Sequence, residues 1–278
     1  MKSKIMNILR LLAFTTLTLL SAVHGQSPAE SKVSLKIDLV SWGEDIPGLT
    51  IKKEEVSALA FRYSKTIRYS GSQVLEISQT PGAKLPELEM SAEEKELMKK
   101  LPAPVTPAVK PIDPAEIPPE ILARRKENPN LVALAMIPAN STRVTVLLAP
   151  GKSGTFQTYV IDDDPTKLPF GKLRIHNYSA IPIALRCNGT ELKELKTREA
   201  MYVSPVQEQV IYELAYKKDN EWQIQENNLL PINANEQSQM IILQSDANFF
   251  TSGDGSRGGY LQTVVLKRRK EVEPVATP

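Results

Sequence analysis

The sequence predicts an all-β protein, an antiparallel immunoglobulin-like β-sandwich with a proline-rich, partly helical insertion. Three observations lead to this fold class. Short segments of alternating apolar and polar residues recur along the chain, turn signals separate them, and no long stretch shows the apolar period of a helix. Many short strands joined by frequent turns are typical of a sandwich and not of a parallel sheet with crossover helices.

Residues 1–25 have the pattern of a secretory signal peptide. Basic residues lead into an apolar run from Leu11 to Leu20, and a small-x-small cleavage pattern ends at Gly25. The run is shorter than the roughly 20 residues that cross a bilayer. We expect cleavage after Gly25, a mature chain without a transmembrane segment, and a periplasmic or secreted location. A retained signal anchor is the alternative.

Charge and cysteine content narrow the class of protein. Without residues 1–25 the 34 Lys and Arg residues fall to 31 against 32 Asp and Glu, which changes the formal net charge from +2 to −1. A nucleic-acid partner is therefore not expected. The basic cluster from Lys267 to Lys270 is predicted to solubilise the end of the last strand. A single cysteine, Cys187, excludes an intramolecular disulfide and favours a bacterial envelope protein with a sizeable core.

The strand predictions begin at Val33, where "VSLKIDLV" alternates strictly between apolar and polar residues. We predict N-terminal strands within 26–80, a main β-sandwich over 139–267 and a flexible tail over 268–278. Segments such as "TRVTVLLA", "TFQTYVI", "EQVIYELAYKKDNEWQIQ" and "QMIILQ" provide the later strands. Whether the strands on the two sides of the insertion form one domain or two is left open.

Residues 81–138 are predicted to be an insertion or linker, because they hold 11 of the 21 prolines. Ser91 with Glu94 forms a capping-box pattern for a helix that ends before Pro102. A second short helix is predicted from Pro119 to Glu127.

The segment "VTVLLAPGKSGT" resembles the Gly-Lys-Ser end of a phosphate-binding loop. Val146 stands where the first glycine of that motif is required, and a strand pattern follows instead of a helix, so a hairpin loop is favoured over nucleotide binding.

A hairpin that turns near Ser179 and pairs Ile175 with Leu185 would bury Cys187 and leave His176 on the surface. These two residues would then form no catalytic pair, and we predict no catalytic residue and no cofactor.

Several residues are candidates for binding. Asp162, Asp163 and Asp164 are weak candidates for calcium ligands, because adjacent carboxylates supply oxygens, and a solvated acidic turn is the alternative. The candidate ligand or partner contacts are Trp42, Tyr212, Tyr216 and Trp222, together with Asp254 and Arg257 of the glycine-rich loop. The rings would bind carbohydrate or peptide if exposed, and belong to the core if buried.

The segments "LRIHNYSAIPIALRCNGTEL" and "YVSPVQEQVIYELAY" resemble uncharacterised secreted immunoglobulin-like sandwich proteins of Gram-negative bacteria. The resemblance implies an envelope protein and transfers no catalytic residue. The leading hypothesis is an exported non-enzymatic protein that acts through contacts with a protein partner. A carbohydrate-binding module and a secreted carboxylate-based hydrolase are the alternatives.

Overall fold

A computed structural model describes residues 32–83, 117–190, 192–244 and 260–270. The predicted signal peptide, the helix predicted from Ser91, the candidate contacts Asp254 and Arg257, and most of the predicted tail lie outside these residues. The described chain is mostly β, with four sheets, which confirms the predicted all-β sandwich class.

Eight strands form the first half of the fold. They are β1 (Lys32–Ser41), β2 (Ile46–Ile51), β3 (Glu54–Ala58), β4 (Ile67–Ser72), β5 (Val74–Gln79), β6 (Leu131–Met136), β7 (Arg143–Pro150) and β8 (Phe156–Asp162). They pair as two sheets, in the orders β4-β1-β7-β8 and β3-β2-β5-β6. Buried Leu39 and Val146 of one sheet and Leu49 and Ile77 of the other belong to one apolar core. Strands on both sides of the proline-rich region thus complete one sandwich, which answers the question that the sequence left open.

The second half repeats this topology. Its strands are β9 (Leu173–Asn177), β10 (Ile183–Cys187), β11 (Lys193–Leu195), β12 (Ala200–Val203), β13 (Gln209–Lys218), β14 (Glu221–Pro231), β15 (Glu236–Gln244) and β16 (Leu261–Arg269). Their orders, β12-β9-β15-β16 and β11-β10-β13-β14, are those of the first half with eight added to each strand number. A separate core, which includes Leu185, Leu214 and Met240, fills this second sandwich.

One strand pair in each half is parallel, a feature that the antiparallel prediction did not include. β1 pairs in parallel with β7, and β9 with β15. Parallel neighbours cannot be joined by a tight hairpin, and here five other strands separate the members of each pair along the chain.

The segment between β5 and β6 contains a short helix, α1 (Pro119–Arg124). Proline at the first helical position suits the helix start, since its missing amide hydrogen would have no partner there. This helix was predicted from the same proline. β6 lies inside the range 81–138 that was assigned to the insertion, because "LVALAM" between Pro129 and Pro138 contains no proline and pairs with β5.

The Gly-Lys-Ser segment is a hairpin between β7 and β8, as predicted. The amide of Gly151 donates to the carbonyl oxygen of Thr155 at 2.9 Å, and the Thr155 amide donates back to Lys152 at 3.0 Å. A Cβ atom at position 151 would lie 2.8 Å from that same Thr155 oxygen, so glycine is required. A strand follows this turn, and the helix that a phosphate-binding loop needs is not there.

The predicted hairpin across Ser179 is wrong. β9 pairs with β12 and β15, whereas β10 pairs with β11 and β13 in the other sheet. The intervening segment crosses between sheets, and Asn177 Nδ2 supports it by donating to the carbonyl oxygen of Ile181 at 2.8 Å. Cys187 is nevertheless buried, as predicted, because β10 contributes it to the core of the second sandwich.

The two sandwiches pack against each other through equivalent sheets. Their junction contains an apolar cluster with Leu147 and Ile161 from the first sandwich and Ile241 and Leu243 from the second. β7 and β15 are consequently buried on both faces. The sheets form four layers, with β1-β7-β8 and β9-β15-β16 in the middle.

Candidate functional site

A buried charge network joins the two sandwiches. Asp38 of β1 and Asp163, just after β8, are almost fully shielded from solvent. Arg268 of β16 pairs with both, with Nη1 2.7 Å from Asp38 Oδ2 and Nη2 3.1 Å from Asp163 Oδ2. Its guanidinium also lies 4.1 Å from the centre of the Tyr63 ring. Buried charges are costly unless paired, so these groups favour the assembled junction over separated halves.

The prediction that Lys267 to Lys270 only solubilises a strand end is wrong at Arg268. Alternation along β16 turns Arg268 toward the junction, where its side chain is 11% exposed, while the side chain of Arg269 is 89% exposed. The sequence pattern gave no sign of this difference, because both arginines belong to one basic run.

Arg174 and His176 extend the network along β9. Arg174 Nε donates to His176 Nε2 at 3.0 Å, and Nη2 donates to Gln239 Oε1 at 2.9 Å. His176 Nε2 also lies 2.9 Å from Gln239 Oε1, so whether this nitrogen donates or accepts depends on the tautomer of the ring. Burial, followed by the charge of Arg174, lowers the pKa of His176 to about 3. His176, which was predicted to lie on the surface, is buried. The sheet of the first sandwich that contains β7 and β8 packs over this face of β9.

His176 and Cys187 lie in different sheets, and Cys187 faces the second core. Burial raises the pKa of the Cys187 thiol to about 11. At neutral pH the thiol is therefore protonated, and the histidine has little capacity to take a proton from a reacting group.

The three adjacent aspartates have separate roles. Asp162 pairs with Lys167, Asp163 belongs to the charge network, and Asp164 accepts a hydrogen bond from the Thr166 amide at 2.9 Å. Hydrogen bonds led by the Thr166 hydroxyl lower the pKa of Asp164 to about 2. In the part of the chain that the structure describes, no three His, Cys, Asp or Glu side chains are arranged to hold a metal ion.

A cavity of about 360 Å³ opens between the sandwiches, and we call it the aromatic cleft. Both sandwiches supply its walls, with Trp42, Gln157 and Tyr159 from the first and Tyr178, Arg198 and Gln244 from the second. The cleft adjoins the charge network, because the Tyr178 ring stacks on His176 with ring centres 5.4 Å apart.

Two tyrosines and one arginine form the centre of the cleft. The rings of Tyr159 and Tyr178 are 4.7 Å apart, and each is only partly buried. Burial raises the pKa of Tyr159 and raises that of Tyr178 to about 12, so both hydroxyls remain donors at neutral pH. Arg198, which is exposed, adds a permanent positive charge.

A second cavity of about 940 Å³ adjoins the cleft, because Tyr159, Tyr178 and Arg198 line both. It extends along β6 and α1 and is bounded there by Met136 and Glu120. Together the two cavities form one groove that runs from the junction across the first sandwich.

The structure places the predicted aromatic contacts in different environments. Trp42 lines the cleft but is buried, with its ring edge against Phe61 at 5.6 Å. Tyr212 belongs to the second core. Tyr216 stacks on Tyr260, while Trp222, paired with the neighbouring Lys217, lies on the opposite sheet face. These rings do not form one platform.

The fold and the cleft define a tandem β-sandwich protein with an aromatic cleft at its internal junction. Neither the protein-family models nor the curated proteins compared with the chain give a match. Among the described residues, none of the helical structure is long and apolar enough to span a membrane.

Proposed function

We propose that the protein is an exported, non-enzymatic binding protein that acts in the bacterial envelope or at the cell surface by contacting a protein partner through the aromatic cleft. The observation that carries this proposal is the cleft itself, where Tyr159, Tyr178 and Arg198 present partly exposed rings and hydrogen-bond donors. Aromatic rings and arginine are the side chains that dominate binding energy at protein interfaces. Export rests on the pattern of residues 1–25.

Binding is favoured over catalysis because of the groups that line the cleft. Its polar walls are amides, hydroxyls and one guanidinium, and none of the described residues lining the 360 Å³ cavity carries a carboxylate. A carboxylate-based hydrolase needs two facing carboxylates in its cleft. Asp38 and Asp163, which do approach each other through Arg268, are buried at the junction instead.

A protein partner is favoured by the length of the groove. The groove continues from the cleft past Met136, which is 66% exposed, to α1. An extended peptide can place alternate side chains along such a groove, with its apolar groups against exposed apolar ones. Carbohydrate binding is less well supported, since the partly exposed rings of Tyr216 and Trp222 lie on opposite faces of their sheet.

Site-directed photo-crosslinking in the exporting cell tests the proposal. A photoreactive residue at Gln157, which is exposed in the cleft, should give a specific protein adduct. The same residue at Lys193, exposed on the outer sheet of the second sandwich, should not give that adduct.

The captured partner would then be purified and titrated with the intact mature protein. Tyr159→Ala should weaken binding roughly tenfold or more, because an aromatic hot-spot contact contributes about 2 kcal/mol. Trp222→Ala is the matched control and should leave the dissociation constant unchanged. Binding that depends on Trp222 and not on Tyr159 would show that the contact surface lies elsewhere.

A further inference from the structure

Three side chains that can donate hydrogen bonds line the aromatic cleft and make no such bond to the described residues. The hydroxyls of Tyr159 and Tyr178 and the guanidinium of Arg198 make no hydrogen bond or ion pair with the part of the chain that the structure describes. Both tyrosines line the same cavity as Arg198, and their rings are 4.7 Å apart. Solvent or a ligand must therefore satisfy these donors.

The backbone at Arg198 indicates that its position is specialised. Arg198 has a φ of 68°, in the left-handed region that favours glycine. Its amide donates to the carbonyl oxygen of Asn177 at 2.6 Å, and the Glu199 side chain accepts from the Lys196 amide at 2.9 Å. These bonds hold the turn, and they do not need a guanidinium. An arginine in a strained conformation thus supplies a charge that the turn itself does not use.

The charge of the cleft is unbalanced. Among the described residues that line the 360 Å³ cavity, Arg198 is the charged one, and the other polar groups are hydroxyls and amides. Lys167, Asp162 and the buried network are paired among themselves. A negatively charged group would therefore gain from entering the cleft, where partial burial strengthens the attraction.

We propose that the aromatic cleft binds a carboxylate of the partner protein, with Arg198 pairing with the charge and the hydroxyls of Tyr159 and Tyr178 donating to the same oxygens. This inference rests on the proposed binding function and names its ligand chemistry. A planar guanidinium matches the geometry of a carboxylate, and two neutral donors complete its four acceptor positions. The Trp42 and Leu243 side chains on the walls would contact an apolar group next to that carboxylate.

A peptide carboxylate fits the cleft better than an acidic sugar does. The adjoining groove beside Met136 is open and partly apolar, which suits the flanking residues of a peptide.

A small probe tests the chemistry directly on the intact mature protein. Trp42 and Trp222 are the two tryptophans of the chain, so Trp222→Phe leaves the cleft residue Trp42 as the fluorescent reporter. We expect 3-phenylpropionate to change this fluorescence saturably and its amide, 3-phenylpropionamide, to bind roughly tenfold or more weakly, since a charged hydrogen bond is lost. Equal binding of acid and amide, or no saturable binding of the acid, would overturn the proposal.

Variants at position 198 separate a binding role from a structural one. Arg198→Gln should remove the preference for the acid over the amide, whereas Arg186→Gln, an exposed arginine paired with Glu213 in the outer sheet, should keep it. Arg198→Gly should remove the preference without lowering Tm, because glycine adopts the left-handed conformation freely. A lower Tm in Arg198→Gly, or an unchanged preference in Arg198→Gln, would contradict the role given to Arg198.

Peptide arrays then identify the source of the carboxylate. Matched ten-residue peptides would carry a free C-terminus, an internal Asp or Glu with an amidated C-terminus, or neither, and uronic-acid oligosaccharides would form a fourth arm. Binding in either of the first two arms that is lost in Arg198→Gln supports the proposal. Binding of the oligosaccharides alone, or of no arm at all, refutes it.

The failure of this inference can be distinguished from failure of the proposed function. Peptides that bind without a carboxylate and still require Tyr159 would refute the carboxylate site and leave a protein-binding cleft. A purified partner whose affinity is unchanged by Tyr159→Ala would refute both.

Discussion

Replacing Arg268 by methionine should strongly destabilise the protein. Methionine keeps much of the volume of the side chain but removes its charge and hydrogen bonds. The two carboxylates at 2.7 and 3.1 Å, each with a side chain 1% exposed, would lose their shared partner. Removing one partner from a buried ion pair costs about 3–5 kcal/mol, because a charge is left uncompensated.

The remaining contacts decide where in this range the cost falls. Asp38 keeps Arg143, whose Nε is 3.1 Å away, and Asp163 keeps Arg174 at 3.7 Å together with hydrogen bonds from Thr145 and Gln239. We therefore expect the free energy of unfolding to fall by about 3 kcal/mol, at the lower end of that range. For a chain of this size that corresponds to a Tm lower by roughly 6–12 °C.

Equilibrium urea denaturation of the mature protein, followed by circular dichroism, would measure the free energy of unfolding. Arg269→Met is the matched control, because its side chain is 89% exposed and its partner Glu236 keeps a hydrogen bond from Asn233. It should change the free energy of unfolding by less than about 1 kcal/mol. Adding Asp163→Asn to Arg268→Met should recover part of the loss by removing the charge of a buried carboxylate that has lost its closer arginine. Equal stability of the two single variants would refute the assignment of Arg268 to a buried network.

The other predictions concern pH, the thiol and export. Since the pKa of His176 is lowered from 6.5 to about 3, its neutral form contributes stability that is complete above pH 6.5 and is lost as pH falls toward 3. At pH 4.5 this loss is about 3 kcal/mol, and His176→Gln, compared with wild type by denaturation at pH 7.5 and 4.5, should lack that part of the acid sensitivity; identical pH profiles would contradict it. Cys187 should react slowly with a thiol reagent in the native protein and quickly in urea, because it is 3% exposed and burial raises its pKa to about 11; fast native labelling would mean that the second core opens. N-terminal sequencing of exported protein should begin at Gln26, and an intact Met1 in washed membranes would show that residues 1–25 act as an anchor.

The sequence predicted where strands occur better than it predicted which strands pair with each other. Alternation predicted β1, and the "KKDN" turn predicted the β13–β14 hairpin, in which Asp219 and Asn220 have positive φ angles of 51° and 67°. Those signals are local. The crossing at Ser179 looked like a hairpin because turn residues do not reveal whether a chain returns to its own sheet or moves to the other one.

One signal for the four-layer arrangement was present in the sequence. "VLLA" in β7 and "MIIL" in β15 are continuous apolar runs and not alternating ones, as expected of strands covered on both faces. The polar half of β15, which includes Gln237 and Gln239, is buried as well. Periodicity cannot predict that burial, because it depends on the buried arginines and aspartates of other strands.

The centre of the cleft could not be found from spacing. Tyr159 lies in the middle of β8, Tyr178 directly follows β9, and Arg198 lies in the turn between β11 and β12. Only the packing of the sandwiches brings the three together. The sequence singled out Trp42 but none of these three, since none belongs to a recognisable motif.

The repeated topology and the charge network together determine which halves can associate. Asp38 and Asp163 belong to the first sandwich, whereas Arg174 and Arg268 belong to the second. Two first sandwiches placed face to face would leave Asp163 without either of its arginines, and two second sandwiches would oppose arginine to arginine. The junction therefore discriminates against self-pairing of like halves, although their sheets are equivalent. Because residues 163–172 tether the unlike halves at a high effective concentration, we expect the pairing to occur within one chain in preference to exchange between molecules.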